Sequence, residues 1–253
     1  MASDESFFKM YCAFMKRTNY KEMFTAMLND LQCSGVKLVD SVRSCLSIGP
    51  GGGDYEIAFM KHCAPNISKF LAVEPDHESV EHLRTSLMTS LPGVESQVFE
   101  TTLQNWEGPS DPVDLILMFH CLYHVGADER PELFKKMHDR WLTSGGYVAV
   151  IQEACTESSK IEMIFERLGK PSPPWIDIEA DLQEARFTKL YARELQLKCD
   201  QTNPDESLLR FYQRSGSGGF FVTLDYIRDL LKELYPDGQT DFVNMMAIFR
   251  KTD

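Results

Sequence analysis

A chain of 253 residues with 43% hydrophobic content is long enough for one large domain with a full core, which excludes a disordered or fibrous class. The net charge is −12, and no lysine or arginine run interrupts the scattered acidic residues, so neither a nucleic acid nor an anionic membrane surface is the expected partner. No stretch is apolar enough to span a bilayer, and the acidic start Met1 to Ser6 lacks an export signal's apolar run, so a cytoplasmic protein handling small molecules is expected.

Residues 6 to 31 place Phe7, Phe8, Tyr11, Phe14, Met15, Met23, Phe24, Met27, Leu28 and Leu31 mostly three and four apart, which predicts two amphipathic helices joined near Lys16 to Tyr20. They form either a cap packed on the sheet or a lid over a pocket. Strand and helix then alternate: strand Val42 to Ile48, helix Tyr55 to His62, strand Phe70 to Val73, helix Glu78 to Thr89, strand Val94 to Glu100. Val113 to Phe119 is an apolar run bounded by turn signals and reads as a buried parallel strand. A helix from Pro131 to Trp141 follows, then a turn at Thr143 to Gly146 and a fifth strand, Tyr147 to Ile151.

Beyond Gln152 a helix from Ser158 to Leu168 leads into Lys170 to Trp175, a proline-stiffened connection. Leu182 to Phe187 reads as helix, Leu190 to Lys198 as strand, Glu206 to Tyr212 as helix and Ser215 to Gly219 as a flexible joint. Helix Leu224 to Leu234 and strand Val243 to Phe249 complete the chain. The expectation is an α/β fold: a doubly wound, mostly parallel seven-stranded sheet with helices on both faces, an N-terminal helical lid and a substrate-covering insertion after the fifth strand. Residues 1–253 form a single domain in this reading: 1–41 the cap, 42–151 the cofactor-binding core, 152–220 the insertion and connecting elements, 221–253 the last helix and strand.

The seven cysteines (Cys12, Cys33, Cys45, Cys63, Cys121, Cys155, Cys199) are odd in number, dispersed and never spaced Cys-x-x-Cys, which predicts reduced, buried thiols. His62, His77, His82 and His138 lack a paired ligand spacing, so no metal site is expected.

The chemistry concentrates in Cys45 to Ile57, a strand, a glycine turn and a helix start, with Glu74 closing the next strand. That is the outline of a nucleotide-cofactor crevice. A dinucleotide site wants Gly-x-Gly-x-x-Gly and an open helix N-terminus for pyrophosphate. Here Gly49, Gly51, Gly52 and Gly53 are followed by Asp54, whose carboxylate would repel that anion. A phosphate-free, cationic cofactor meets no such penalty. S-adenosylmethionine fits, with its ribose hydroxyls held by Glu74. A nicotinamide-dependent oxidoreductase and a non-catalytic cofactor-binding module stand as alternatives.

On these residues the chain resembles the Rossmann-like, class I S-adenosylmethionine-dependent methyltransferases. Val113-Asp114-Leu115-Ile116, Phe119 to Val125, and Trp141 to Tyr147 are similar to that superfamily's fourth strand, its following loop and its turn into the fifth strand. Leu46-Ser47-Ile48-Gly49, Val73-Glu74-Pro75, Leu122-Tyr123 and Asn244 resemble the histamine N-methyltransferase family in particular. The resemblance implies a cofactor site of Gly49, Pro50, Gly51, Glu74, Pro75, Thr101, Thr102 and Phe119. It implies an acceptor site of Asn19, Tyr20, Tyr123, Trp175 and Asn244, with His120 and Asn244 in catalytic roles and a small amine or imidazole as acceptor. Tyr123, Phe119, Phe165 and Trp175 could enclose a cation in aromatic rings. Two departures stand out: the family's lid glutamate falls at Asn19 or Tyr20, and its pocket glutamine at His120. An O- or carboxylate acceptor therefore stays open. A monomer is the default.

Overall fold

The computed structural model describes residues 6–36, 38, 40–155, 159–216 and 222–252. Two N-terminal helices, α1 (Phe7–Met15) and α2 (Tyr20–Cys33), precede an alternating run: β1 (Ser44–Ile48), α3 (Asp54–Cys63), β2 (Lys69–Glu74), α4 (His77–Ser90), β3 (Glu95–Glu100), β4 (Val113–Phe119), α5 (Arg130–Lys136) and β5 (Leu142–Glu153). Then come α6 (Glu162–Arg167), α7 (Trp175–Glu184), β6 (Phe187–Asp200), α8 (Glu206–Gly216), α9 (Leu224–Leu234) and β7 (Gln239–Lys251). The seven strands form one sheet in the order β3-β2-β1-β4-β5-β7-β6, with helices on both faces. β1 lies in parallel register with β2 on one side and β4 on the other, Leu46 opposite Leu71 and Ile116. The strand order reverses between β1 and β4, and in such sheets that switch point opens a crevice at the carboxyl ends of the strands.

Burial explains why these stretches are strands. β2 and β4 are nearly continuous buried apolar runs, as parallel strands covered on both faces must be. β3, at the sheet edge, exposes Glu95, Ser96, Gln97 and Glu100, and those polar residues blunt the edge against pairing with another chain. Helix starts carry their expected caps. The Asp76 carboxylate accepts the Ser79 N–H at 2.9 Å to open α4, and the Thr223 hydroxyl accepts the Tyr226 N–H at 3.2 Å to open α9.

Contacts divide the chain into two compact units. The first comprises Met1–Thr25, Glu153–Pro174 and Glu194–Asn244. Within it α1 packs on α8, with Phe14 stacked on Phe211 at 4.4 Å between centroids. The second comprises Ala26–Gln152, Trp175–Arg193 and Met245–Asp253. Within it a buried ion pair, Arg130 Nε to Asp181 Oδ2 at 2.9 Å, ties α5 to α7.

Four local expectations need correction. Thr143 to Gly146 is not a turn ahead of β5 but a bulge inside it: Val113 pairs with Leu142, and the register then jumps to Leu115 with Tyr147. Gly145, at φ +70°, supplies the bend, and Asp114 opposite is held by the hydroxyls of Ser44 and Thr143. The helix expected from Pro131 to Trp141 ends as α-helix at Lys136 and closes with a π-turn, Met137–Trp141. The proline-stiffened connection ends at Pro174, and α7 begins at Trp175 rather than Leu182. Of the joint expected at Ser215 to Gly219, Ser215 and Gly216 are helical, while Ser217, Gly218 and Gly219 lie outside the described residues, as does Ser158 at the expected start of α6. Gly216 serves packing: a Cβ there would sit 2.6 Å from Leu168 Cδ1.

Candidate active site

The glycine loop lies at the end of β1. Gly49, Gly51 and Gly53 take φ of +63°, +55° and +79°, a region that side-chain-bearing residues rarely occupy. Gly49 is doubly constrained, since a Cβ there would come within 2.9 Å of Cys121 Cβ in the loop after β4. Around Gly51 nothing lies within 4 Å of a Cβ position, so this backbone faces open space. Pro50 is buried and its carbonyl accepts the Gly53 N–H at 3.0 Å, closing the turn into α3.

Glu74 ends β2 beside this loop. Its Oε2 accepts the Gly51 N–H at 2.9 Å and its Oε1 accepts the Asp76 N–H at 2.9 Å. Burial raises its pKa, and the two backbone donors work against that rise. Each oxygen retains a lone pair for a further donor. Asp54 opens α3 and is exposed, while Glu56 in the same turn is buried on the apolar side of the helix. Desolvation pushes the Glu56 carboxyl up to about 8. Glu56 thus stays neutral at neutral pH, and it is the exposed Asp54 carboxylate that gives the mouth of α3 the wrong sign for a pyrophosphate.

Phe119 ends β4, buried, with its ring edge-on to Phe59 of α3 at 5.6 Å. Thr101 and Thr102 follow β3, and the Thr102 carbonyl accepts the Asn105 N–H at 3.1 Å to start a 3-10 turn. Pro75 is exposed. The ends of β1, β2 and β4 thus gather Gly49, Pro50, Gly51, Glu74 and Phe119, with Thr101 and Thr102 following the neighbouring β3.

His120 continues the β4 ladder, its N–H donating to the Ile151 carbonyl at 2.8 Å, and then turns the chain with φ +53°. The residue is half-buried, and desolvation lowers its pKa to about 4, so the ring is neutral at neutral pH. Tyr123, half-buried in the following 3-10 turn, meets the His124 ring at 4.6 Å. Trp175 is buried; its Nε1 donates to Glu179 at 3.0 Å and its ring lies 6.5 Å from Phe249.

Asn19, Tyr20, Phe165 and Asn244 belong to the other unit. Asn19 bonds Lys198 twice, its N–H donating to the Lys198 carbonyl at 3.2 Å and its Oδ1 accepting the Lys198 N–H at 2.8 Å. Tyr20 is buried and stacks on Phe24 at 5.9 Å. Phe165 meets Tyr212 at 5.8 Å. Asn244 is buried on β7, next to Val243, whose carbonyl accepts the Ala154 N–H at 2.7 Å.

Several polar residues of consequence are not evident from periodicity. Glu153 and Glu162 are buried together: Ser159 Oγ donates to Glu153 Oε1 at 2.7 Å, and the Ser172 N–H donates to Glu162 Oε1 at 2.6 Å. The two carboxyls lie within hydrogen-bonding reach of each other, and burial raises the pKa of both. Gln152 is wholly buried at the end of β5. One signal was available in the sequence for Glu56, which sits four and seven residues before the buried Met60 and Cys63 and so falls on the apolar stripe of α3. All seven cysteines are free; Cys33 is exposed and Cys12 and Cys155 are half-buried, so the expectation of buried thiols holds for four. Among the described residues no helix is long and apolar enough to cross a membrane, and no three His, Cys, Asp or Glu residues are grouped to hold a metal ion.

A methyltransferase-domain family model matches residues 21–234. The chain belongs to that methyltransferase family. No curated protein matches it. Solved structures with the same fold include a candidate methyltransferase of Bacillus halodurans C-125, at TM-score 0.64 and 13% identity over 89% of this chain and 99% of the other. The N-methyltransferase NodS of Bradyrhizobium japonicum WM9 aligns at TM-score 0.56 and 12% identity over 92% and 98%. A geranyl diphosphate C-methyltransferase of Streptomyces coelicolor A3(2) aligns at 0.55 and 15% over 90% and 77%. One fold thus serves N- and C-methylation in these neighbours, and the acceptor has to be argued from this methyltransferase's own residues.

Proposed function

We propose that this methyltransferase uses S-adenosylmethionine to methylate a nitrogen of a small imidazole or amine, as the sequence resemblance to the histamine N-methyltransferase family suggests. The observation that carries the cofactor half of this reading is Glu74, bound to the Gly51 N–H of an open glycine loop that leads into a helix opening on the exposed carboxylate of Asp54. Those residues suit a cationic cofactor free of phosphate. S-adenosylmethionine supplies a methyl group on a sulfonium, a centre activated for in-line displacement.

The chain's part is to hold and align. The spare lone pairs of Glu74 accept the ribose hydroxyls, and the bare backbone of Gly49 and Gly51 permits close approach. Pro50, Pro75, Thr101, Thr102 and Phe119 complete that side by the family pattern. On the acceptor side, neutral His120 presents a lone pair that can take or steer a proton of the acceptor nitrogen. Tyr123, Trp175, Asn19, Tyr20 and Asn244 are assigned to the acceptor on the resemblance alone.

A screen of imidazoles, biogenic amines, amino acids and small carboxylates, with S-adenosylhomocysteine formation as readout, tests this. Turnover is expected with an imidazole or amine. Turnover confined to hydroxyl or carboxylate acceptors would overturn the nitrogen assignment and leave the cofactor assignment standing.

A further inference from the structure

β5 runs apolar from Tyr147 to Ile151 and then closes on two buried polar residues, Gln152 and Glu153. This glutamine has no exposed surface, yet neither its carboxamide oxygen nor its nitrogen meets a hydrogen-bond partner among the described residues. Leaving a buried amide unpaired forfeits the hydration it had in water with nothing in return. Other glutamines give at least the amide nitrogen to protein: Gln201 Nε2 donates to the Tyr212 hydroxyl, although its Oε1 is unpaired, and Gln32 Nε2 donates to the His62 carbonyl at 2.8 Å; Gln152 leaves both atoms unpaired. Gln152 is therefore a poor structural residue and a good ligand-binding one.

Its place in the sheet says which ligand. Phe119 is paired with Ile151, and the ladder continues through the His120 N–H to the Ile151 carbonyl. Gln152 is the next residue along β5, so it stands beside His120 at the carboxyl ends of β4 and β5, the end of an open α/β sheet where ligands bind. Both neighbours are uncharged, His120 because desolvation keeps it neutral. A carboxamide donates and accepts at once, and so does a neutral imidazole, through its N–H and its bare nitrogen.

We propose that Gln152 is an acceptor-binding residue whose carboxamide, beside His120, hydrogen-bonds a neutral ring or amide that carries both a donor and a lone pair, with the imidazole ring as the matching group. This rests on the nitrogen-methyltransferase reading above. An ammonium is a donor only and would leave the carboxamide N–H groups unpaired, so any such charge on the acceptor is placed away from Gln152.

The test compares wild type with Gln152→Met, which keeps the side-chain length, and Gln152→Leu. Melting temperature is measured on the free protein, and imidazole titrations are run on protein saturated with S-adenosylhomocysteine. Removing the unpaired amide should raise the melting temperature of the free protein by roughly 2–4 °C. Affinity for S-adenosylhomocysteine should stay within about twofold, while imidazole affinity falls by about tenfold or more, the loss expected of one good hydrogen bond. Retained imidazole affinity in both variants, destabilisation of both, or no saturable imidazole binding to wild type would each overturn the assignment. Failure of wild type to bind S-adenosylhomocysteine would instead strike at the methyltransferase reading itself.

Discussion

In the unit that carries β1 to β4, the buried carboxylate Glu74 is held by two backbone N–H groups, and the loop it grips is shaped by glycines at positive φ. In the other unit, Glu153 and Glu162 are held chiefly by each other and by Ser159 and the Ser172 N–H, across a gap in sequence. The first arrangement is local and needs particular residues only where the backbone bends or a charge is wanted. The second depends on where an insertion folds. The cofactor side is thus a backbone device with a recognisable signature, while the buried acid pair is a tertiary accident of this chain.

The largest effect should come from breaking the backbone device. Glu74→Ala removes both carboxylate oxygens from the Gly51 and Asp76 N–H groups, and with them the acceptors proposed for the ribose hydroxyls. At about 1.5–3 kcal/mol for a hydrogen bond to a charged group, S-adenosylmethionine affinity should fall at least ~100-fold. Isothermal titration checks this; unchanged affinity would remove Glu74 from the cofactor site. Gly49→Ala should also weaken binding and lower stability by about 1–3 kcal/mol, because the new Cβ meets Cys121 at 2.9 Å and the backbone sits at φ +63°.

A smaller effect separates acceptor chemistry from cofactor binding. His120 occupies φ +53°, a conformation asparagine tolerates better than alanine, so His120→Asn removes the imidazole with little backbone strain. Turnover should fall by roughly 100-fold, as for loss of a general acid–base group, with S-adenosylhomocysteine affinity unchanged. Equal losses in both would place His120 in the fold rather than in the chemistry.

The contrast between the units also explains what could be read from sequence. A strand was legible in each of the seven places, and the buried parallel ones, such as Val113 to Phe119, were so because they are apolar runs whose ends are marked by turn residues. Asp54 and Glu74 were legible as charges at fixed offsets from a glycine turn. The bulge at Gly145 was read as a turn, since Ser144-Gly145-Gly146 signals a bend without saying whether pairing resumes on the same partner. The early start of α7 at Trp175 was hidden by the prolines before it, which break a helix behind them but leave its first turn free. In sequence Gln152 and Glu153 read as the start of the insertion, past a fifth strand ending at Ile151, whereas both belong to β5. Only burial distinguishes them from solvated residues, and burial there is set by distant segments.

The smallest effect tests the two units side by side, through the pH dependence of stability. Glu56 in one and Glu153 in the other are buried acids whose folded-state pKa values lie above the ordinary range, mainly through desolvation. In the fold they keep a proton that the unfolded chain releases above about 4.3. Between that pH and the raised folded value the folded state binds more protons at these sites, so their contribution to stability is greatest below about 4.3 and declines as pH rises, by at most about 1.4 kcal/mol per unit for each group. For Glu56 the decline should level off near pH 8, where the folded carboxyl itself ionises. Urea unfolding from pH 5 to pH 8 should show the slope in wild type and a flatter one in Glu56→Gln. Glu153→Gln should flatten it less, because Glu162 remains buried beside it and can keep a proton of its own. Equal flattening by the two variants would mean that the acid pair behaves as a single isolated carboxyl, and the contrast drawn between the units would then fail at its most distinctive point.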